Sequence, residues 1–302
     1  MSAPAPHKAP ARWILWHPEQ KLWNWRLEAR LRKLGKPFRI SGVLVRALVL
    51  VDSVLLLTRV MIDRSIRFGP RAAGHALAPS RRTVLYVDCG VHREGREVRF
   101  VAETLADRCD LNILAFEASA DHCAAAQTAL ADIAHLDLRQ LALVGPDITV
   151  PELKLSKGAG DGRADSLWQD SDQFEMVPTA HLSRILRDEF DESLRDAAVL
   201  IRMNIEGSEL GVLEDLVGAR VATHIDGWFG MWDDVAKLAP EREAGFLALR
   251  RRAGIRNVTF NDRDLRHPLR RRAIALALDA ACRRAAAAKP ASGSLPGSGN
   301  PA

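Results

Sequence analysis

Cysteine pairing signals are absent. Cys89, Cys109, Cys123 and Cys282 form no C-x-x-C pair, and no histidine cluster lies near them at zinc-like spacing. A disulfide framework and a structural zinc site are both disfavoured, no metal is expected, and a reduced cytoplasmic protein is the simplest reading. The opening decapeptide MSAPAPHKAP lacks the apolar core of a secretory leader, so no cleaved signal is expected. No internal repeat is visible, which argues against solenoids and propellers. Aromatic residues are only 6% of the 302, but 47% are apolar and 27% charged, an ordinary globular balance. That length fits one large domain with attachments, or two domains.

What is present is uneven. Lys and Arg number 43 against 38 Asp and Glu, a net charge of +5. Residues 1–80 hold 14 of the basic residues and only four acids, a net of +10, which leaves −5 for the remainder. A basic front end on a mildly acidic body suggests an attachment surface rather than a nucleic-acid cleft. No nucleic-acid-binding module is recognisable, and nucleic acid is not expected as a partner.

Four stretches differ in composition. Residues 1–40 are basic, Pro-punctuated and Trp-rich, and 41–80 hold a long Leu/Val segment and a linker. Residues 81–285 alternate β-branched runs with helical patterns, and 286–302 have the Gly/Ser/Pro composition of a disordered tail. In the third stretch, strands are predicted at 84–87, 113–116, 141–144, 199–203 and 221–225, with helices at 98–109 and 122–133. Strands alternating with helices imply an α/β fold, a parallel Rossmann-like sheet with helices on both faces. Ligands of such sheets bind at the carboxyl ends of the strands.

The first strand runs into Asp88-Cys89-Gly90-Val91-His92-Arg93-Glu94-Gly95. The nicotinamide fingerprint G-x-G-x-x-G is missing, because Val91 and His92 follow Gly90. The second strand ends at Glu117-Ala118, 29 residues after Asp88, about one βαβ unit. An ionised carboxylate there offers only acceptors and suits both hydroxyls of a ribose. Without the dinucleotide glycines, the pairing favours an adenosyl ligand such as S-adenosylmethionine; a solvated loop acid is the alternative. After the fourth strand stands Ile201-Arg202-Met203-Asn204-Ile205-Glu206-Gly207-Ser208-Glu209-Leu210.

This last stretch resembles the K-I-D-v-E-G-a-E signature of the FkbM-type methyltransferases, class I enzymes that use S-adenosylmethionine. The resemblance extends over roughly residues 82–262 and includes Leu85–Gly90, Ala115–Ala118, the 177–186 stretch and Gly254–Val258. It implies a class I methyltransferase fold and transfer of a methyl group to a hydroxyl of a sugar, glycan or lipid-linked intermediate. It also implies a cofactor site at Asp88, Gly90, Gly95, Glu117, Ala118 and Asn204. Three positions depart from the pattern. Gly95 falls one place late, with Glu94 in the glycine's position; Asn204 replaces an aspartate; Arg202 replaces a lysine. The alternative reading is a methyltransferase-fold protein that binds cofactor, or serves as a scaffold, without turnover.

A hydroxyl acceptor benefits from a general base. The predicted strands place Glu206 and Glu209 after the fourth strand and His224 and Asp226 at the carboxyl end of the fifth. A first-turn helix acid is the alternative for Glu209, and a structural histidine for His224. The Trp228–Trp232 cluster reads either as a pocket wall or as ordinary packing.

The segment 43–62 is broken by Arg46, Asp52 and Arg59, which makes a membrane span unfavourable. At 3.6 residues per turn, Ser41, Arg46, Asp52, Ser53, Arg59 and Asp63 share one arc and the remaining face is almost wholly apolar, apart from Thr58. That face is expected to pack on the catalytic domain, pair with another copy, or meet a membrane. Trp13, Trp16, Trp23 and Trp25, interleaved with basic residues, suit an anionic headgroup layer. Peripheral contact through residues 10–62 at the inner face of a membrane is the corresponding expectation.

Overall fold

The computed structural model describes residues 41–70, 83–157, 172–232, 235 and 240–288. The expectations for the Trp-rich segment 1–40, and for the tail beyond 288, lie outside the described residues. The chain divides between Ala73 and Gly74 into two compact units. In the first unit, α1 (Ser41–Phe68) is a single helix that covers the predicted amphipathic segment and continues past it.

The second unit is built on six parallel strands: β1 (Thr83–Cys89), β2 (Asp110–Glu117), β3 (Leu136–Gln140), β7 (Ala198–Met203), β8 (Gly227–Gly230) and β9 (Asn257–Val258), in the order β3-β2-β1-β7-β8-β9. Helices connect them: α2 (Arg96–Leu105) and α3 (Ala120–Ala129) follow β1 and β2, and α6 (Glu209–Gly218) follows β7. The sheet is thus the expected Rossmann-like α/β arrangement. β1 and β7 are buried almost throughout because both faces are covered, which explains why they read as apolar runs broken near their ends by Asp88 and Arg202. The chain steps outward from β1 to β3 and then returns to lay β7 on the other side of β1. The crevice at their carboxyl ends is where such sheets hold ligands.

A smaller sheet, in the order β4-β6-β5, interrupts the pattern, with β4 (Ala142–Leu143), β5 (Glu152–Ser156) and β6 (Phe174–Ala180). Here the prediction of a strand at 141–144 is corrected. The third strand of the main sheet is Leu136–Gln140, and only Ala142 and Leu143 of the predicted run form a strand, paired with Thr179 and Ala180 of β6. The run is apolar because Leu141 and Leu143 pack into the main core while Ala142 packs on Leu155 and Val177 of the small sheet. The true third strand mixes half-buried and exposed residues and has no fully buried one, as befits a sheet edge. After β6 come α4 (Leu182–Glu189) and α5 (Asp191–Asp196). α4 begins on the side chain of Asp215 from α6, which accepts from the Ser183 backbone N–H at 2.8 Å and from its hydroxyl at 2.7 Å.

The fifth strand is likewise corrected. Residues Val221–His224 form a 3₁₀ turn, and the strand is Gly227-Trp228-Phe229-Gly230. Glycine is depleted in strands, so the sequence pattern hid it. It is required here by crowding: at Gly230 (φ +125°) a Cβ would stand 1.9 Å from the Met203 carbonyl oxygen. Val221 and Ile225 are apolar because both enter the main core. The unit closes with α7 (Glu243–Arg252), the short α8 (Asp262–Leu265) and α9 (Pro268–Ala288), whose end takes in the first three residues of the predicted tail.

Candidate functional site

The parallel register sets Asp88 of β1 beside Arg202 of β7, the penultimate residue of each strand. An arginine inside the run Ala-Val-Leu-Ile-Arg-Met must find acids, because a buried guanidinium without partners is prohibitively costly. It finds two. Arg202 donates to Asp88 Oδ1 and to Glu97 Oε1 of α2, each at 2.7 Å. Its remaining donors reach the Gly90 carbonyl at 3.1 Å and the Phe260 carbonyl at 3.2 Å. The Tyr86 hydroxyl donates to the other oxygen of Asp88 at 2.8 Å. Asp88 has no exposed surface. The expectation that it lines the ligand site is therefore corrected: it braces the loop above it from below, and any influence on a ligand passes through Gly90.

Burial pushes the Asp88 carboxyl up from its ordinary 3.8 to about 6; Arg202 opposes the rise and Glu97 adds to it. A folded-state value above the unfolded one means that the folded state holds the proton more tightly. The stability this group contributes is fully present below about pH 4 and is lost as pH rises through about 6. Melting temperatures measured across that window should fall with rising pH, and Asp88→Asn should flatten the slope. Parallel slopes for the two proteins would contradict this assignment.

Gly90 opens the loop above that network. Its φ is +96°, and a Cβ would lie 2.1 Å from the Asn204 carbonyl oxygen. The Gly90 and Val91 N–H groups both donate to Phe116 O, and Asn204 N–H donates to Cys89 O. The glycine thus lets three strand ends meet, with half-buried Asn204 at the rim of the crevice. Gly95 closes the same loop, its N–H donating to the His92 carbonyl at 3.3 Å. It caps α2 in a left-handed conformation (φ +55°), and a Cβ would press on the Leu130 side chain at 2.5 Å. Its displacement by one residue matches a packing role at the start of α2.

Glu117 stands on the rim. Its Oε2 accepts from His92 N–H at 2.8 Å and its Oε1 from Ser119 N–H at 3.0 Å. Two backbone donors from two loops therefore fix the carboxylate, and its side chain keeps 11% of its surface exposed. His122 approaches Oε1 to 3.9 Å, and the His92 and His122 rings meet at 4.7 Å. Ala118, half-buried, packs against Ala142, Leu155 and Val177 beneath the small sheet. Beside it, Lys157 joins Ser119 Oγ at 2.8 Å to Glu175 at 2.7 Å and so ties the small sheet to this rim.

The four candidate bases separate. Glu206 lies half-buried on the rim at the end of β7, in a left-handed conformation (φ +46°) before Gly207. Non-glycine residues in that region cost on the order of 1 kcal/mol and collect at functional sites. His92 (φ +59°) is strained in the same way on the other side of the crevice. Glu209 is fully buried, and its carboxylate accepts from Ile205 N–H at 3.1 Å and Gly207 N–H at 2.8 Å. It holds the turn that carries Glu206 and is not placed to meet a substrate. His224 and Asp226 lie at the opposite end of the sheet, because the fifth strand begins after them. Asp226 accepts from Val199 N–H at 3.0 Å, and Val199 stands at the amino end of β7. Their expected place at the carboxyl rim is thus overturned. The aromatic cluster resolves as packing: Trp228 and Trp232 are buried in the core, edge to face at 5.9 Å.

The sequence alone did not single out Arg202 as the centre of a network. A lone cation in an otherwise apolar strand was the available signal. Among the described residues no three His, Cys, Asp or Glu side chains are grouped to hold a metal ion. No family model, curated protein or solved structure matches the chain.

Proposed function

We propose that the protein is an S-adenosylmethionine-dependent methyltransferase of the FkbM type, acting on a hydroxyl of a sugar, glycan or lipid-linked intermediate. The observation that carries the reading is Glu117: an acceptor-only carboxylate on the carboxyl rim of β2, oriented by two backbone donors, one strand from the crevice where the sheet order reverses. Such a group fits a ribose diol, whose two hydroxyls both donate. The bound cofactor supplies an electrophilic methyl group on a cationic sulfur. The chain's part is to position. The loop after Gly90 presents backbone against the crevice, and Asn204 offers its amide there. Glu206 is the base retained at this end of the sheet and would accept the proton of the substrate hydroxyl. Orientation supplies up to roughly 7–11 kcal/mol in favourable cases, and a placed base about 10²–10⁴-fold.

A second reading, cofactor binding without turnover, is favoured by one finding: of the four candidate bases, only Glu206 stands at the rim. Both readings are tested by titrating the full chain with S-adenosylmethionine in a calorimeter, then supplying hydroxyl-bearing glycans or lipid extracts. Saturable binding followed by release of S-adenosylhomocysteine is the expected result. Binding without release favours the second reading. No binding at millimolar cofactor overturns both.

A further inference from the structure

The long helix α1 presents the reverse of an ordinary amphipathic helix. Val43, Leu50, Val51, Val54, Ile62 and Ile66 are 45–67% exposed. The polar residues Asp52, Ser53 and Arg64 are buried. The exposed apolar residues form a stripe on one helix face, since Leu50, Val54, Ile62 and Ile66 recur on the four-residue ladder, which only Thr58 interrupts. Twenty-eight residues at 1.5 Å each make the helix about 42 Å long. Contiguous apolar surface on this scale marks an interaction site.

Three observations select its partner. No described helix is long and apolar enough to cross a membrane, so the stripe does not span one. Arg46 and Arg59 fall on opposite edges of the stripe at 3.6 residues per turn, where their stems can lie along an apolar layer while their charges reach phosphates. Finally, residues 1–80 carry a net charge of +10, with four tryptophans in the forty residues immediately before the helix, while the rest of the chain is net −5. A second copy of the chain would set two strongly basic segments against each other; an anionic bilayer would complement them.

We infer that α1 lies in the plane of an anionic membrane surface, its stripe from Val43 to Ile66 sunk among the acyl chains and its arginines at the headgroups. This docking does not depend on the methyltransferase reading. Flotation of the full-length protein with phosphatidylcholine vesicles, with and without phosphatidylserine, tests it, against a variant carrying Leu50→Asn, Val54→Asn and Ile62→Asn. The wild type should float with the anionic vesicles and far less with the neutral ones. The variant should lose partitioning on the order of a hundredfold, with its helix content confirmed by circular dichroism. If the triple variant loses helix, the three single substitutions should each remove part of the binding. Failure of the wild type to float overturns the inference, as does a well-folded variant that floats equally well. Wild-type dimers that the variant abolishes, without flotation, would also overturn it and assign the stripe to a second copy.

Discussion

Replacing Arg202 with methionine is expected to destabilise the second unit by roughly 3–5 kcal/mol, lowering its melting temperature by about 10 °C or more. The side chain is 1% exposed and holds Asp88 and Glu97 at 2.7 Å each. Methionine fills similar volume but leaves two buried carboxylates with no cation between them. The loss also frees the Gly90 carbonyl and the Phe260 carbonyl, so β1, its loop, α2 and the segment after β9 lose a shared anchor. Lysine should rescue little, because one ammonium cannot serve both acids and two carbonyls as a planar fork does. Adding Asp88→Asn and Glu97→Gln to Arg202→Met should recover much of the loss, since the cost arises from stranded charge rather than from missing attraction. Thermal or urea melts decide the matter. A single variant within about 1 kcal/mol of wild type would show that the network does not hold these elements together.

The second large effect concerns ligand binding. Glu117→Gln is expected to weaken adenosyl-ligand affinity roughly a hundredfold or more, because two charge-assisted hydrogen bonds of about 1.5–3 kcal/mol each are weakened together. Glutamine also replaces one acceptor oxygen with a donor, which opposes either His92 N–H or Ser119 N–H. A modest fall in melting temperature should therefore accompany the loss. Asp226→Asn and His224→Ala serve as controls at the opposite end of the sheet and should leave affinity unchanged. Equal affinities for wild type and Glu117→Gln would remove Glu117 from the site.

How far the sequence spoke for the fold depended on burial. β1, β2 and β7 announce themselves because parallel strands covered on both faces are largely apolar. β3 and β8 do not. β3 is an edge with the mixed polarity of edges, and β8 begins and ends on glycines demanded by close packing against β7 and α9. Misplacing β8 by a few residues carried His224 and Asp226 to the wrong end of the sheet, since the two ends of a strand face opposite sides of the molecule. At the site, the motif residues Gly90, Glu117, Asn204 and Glu206 were legible, and all four stand at the carboxyl rim. Their supports were not. No local pattern reveals that Asp88 is consumed by Arg202, that Glu209 clamps its own turn, or that His92 and Glu206 adopt left-handed backbone. The Asp88–Arg202 pairing joins strands distant in sequence, whereas the Glu209 clamp reaches back only two and four residues and turns on which way that side chain folds. For α1, the helical wheel gave two faces, but not that the polar one would be buried.

The most direct measurement of whether Glu117 cradles an adenosyl ribose is a calorimetric titration of the wild-type chain with S-adenosylhomocysteine and with its 2′-deoxy and 3′-deoxy ribose analogues. Each missing hydroxyl should cost on the order of tenfold or more in affinity, and the penalty should largely vanish in Glu117→Gln. Wild-type affinities that ignore both deletions, or penalties that persist undiminished in the variant, would contradict it.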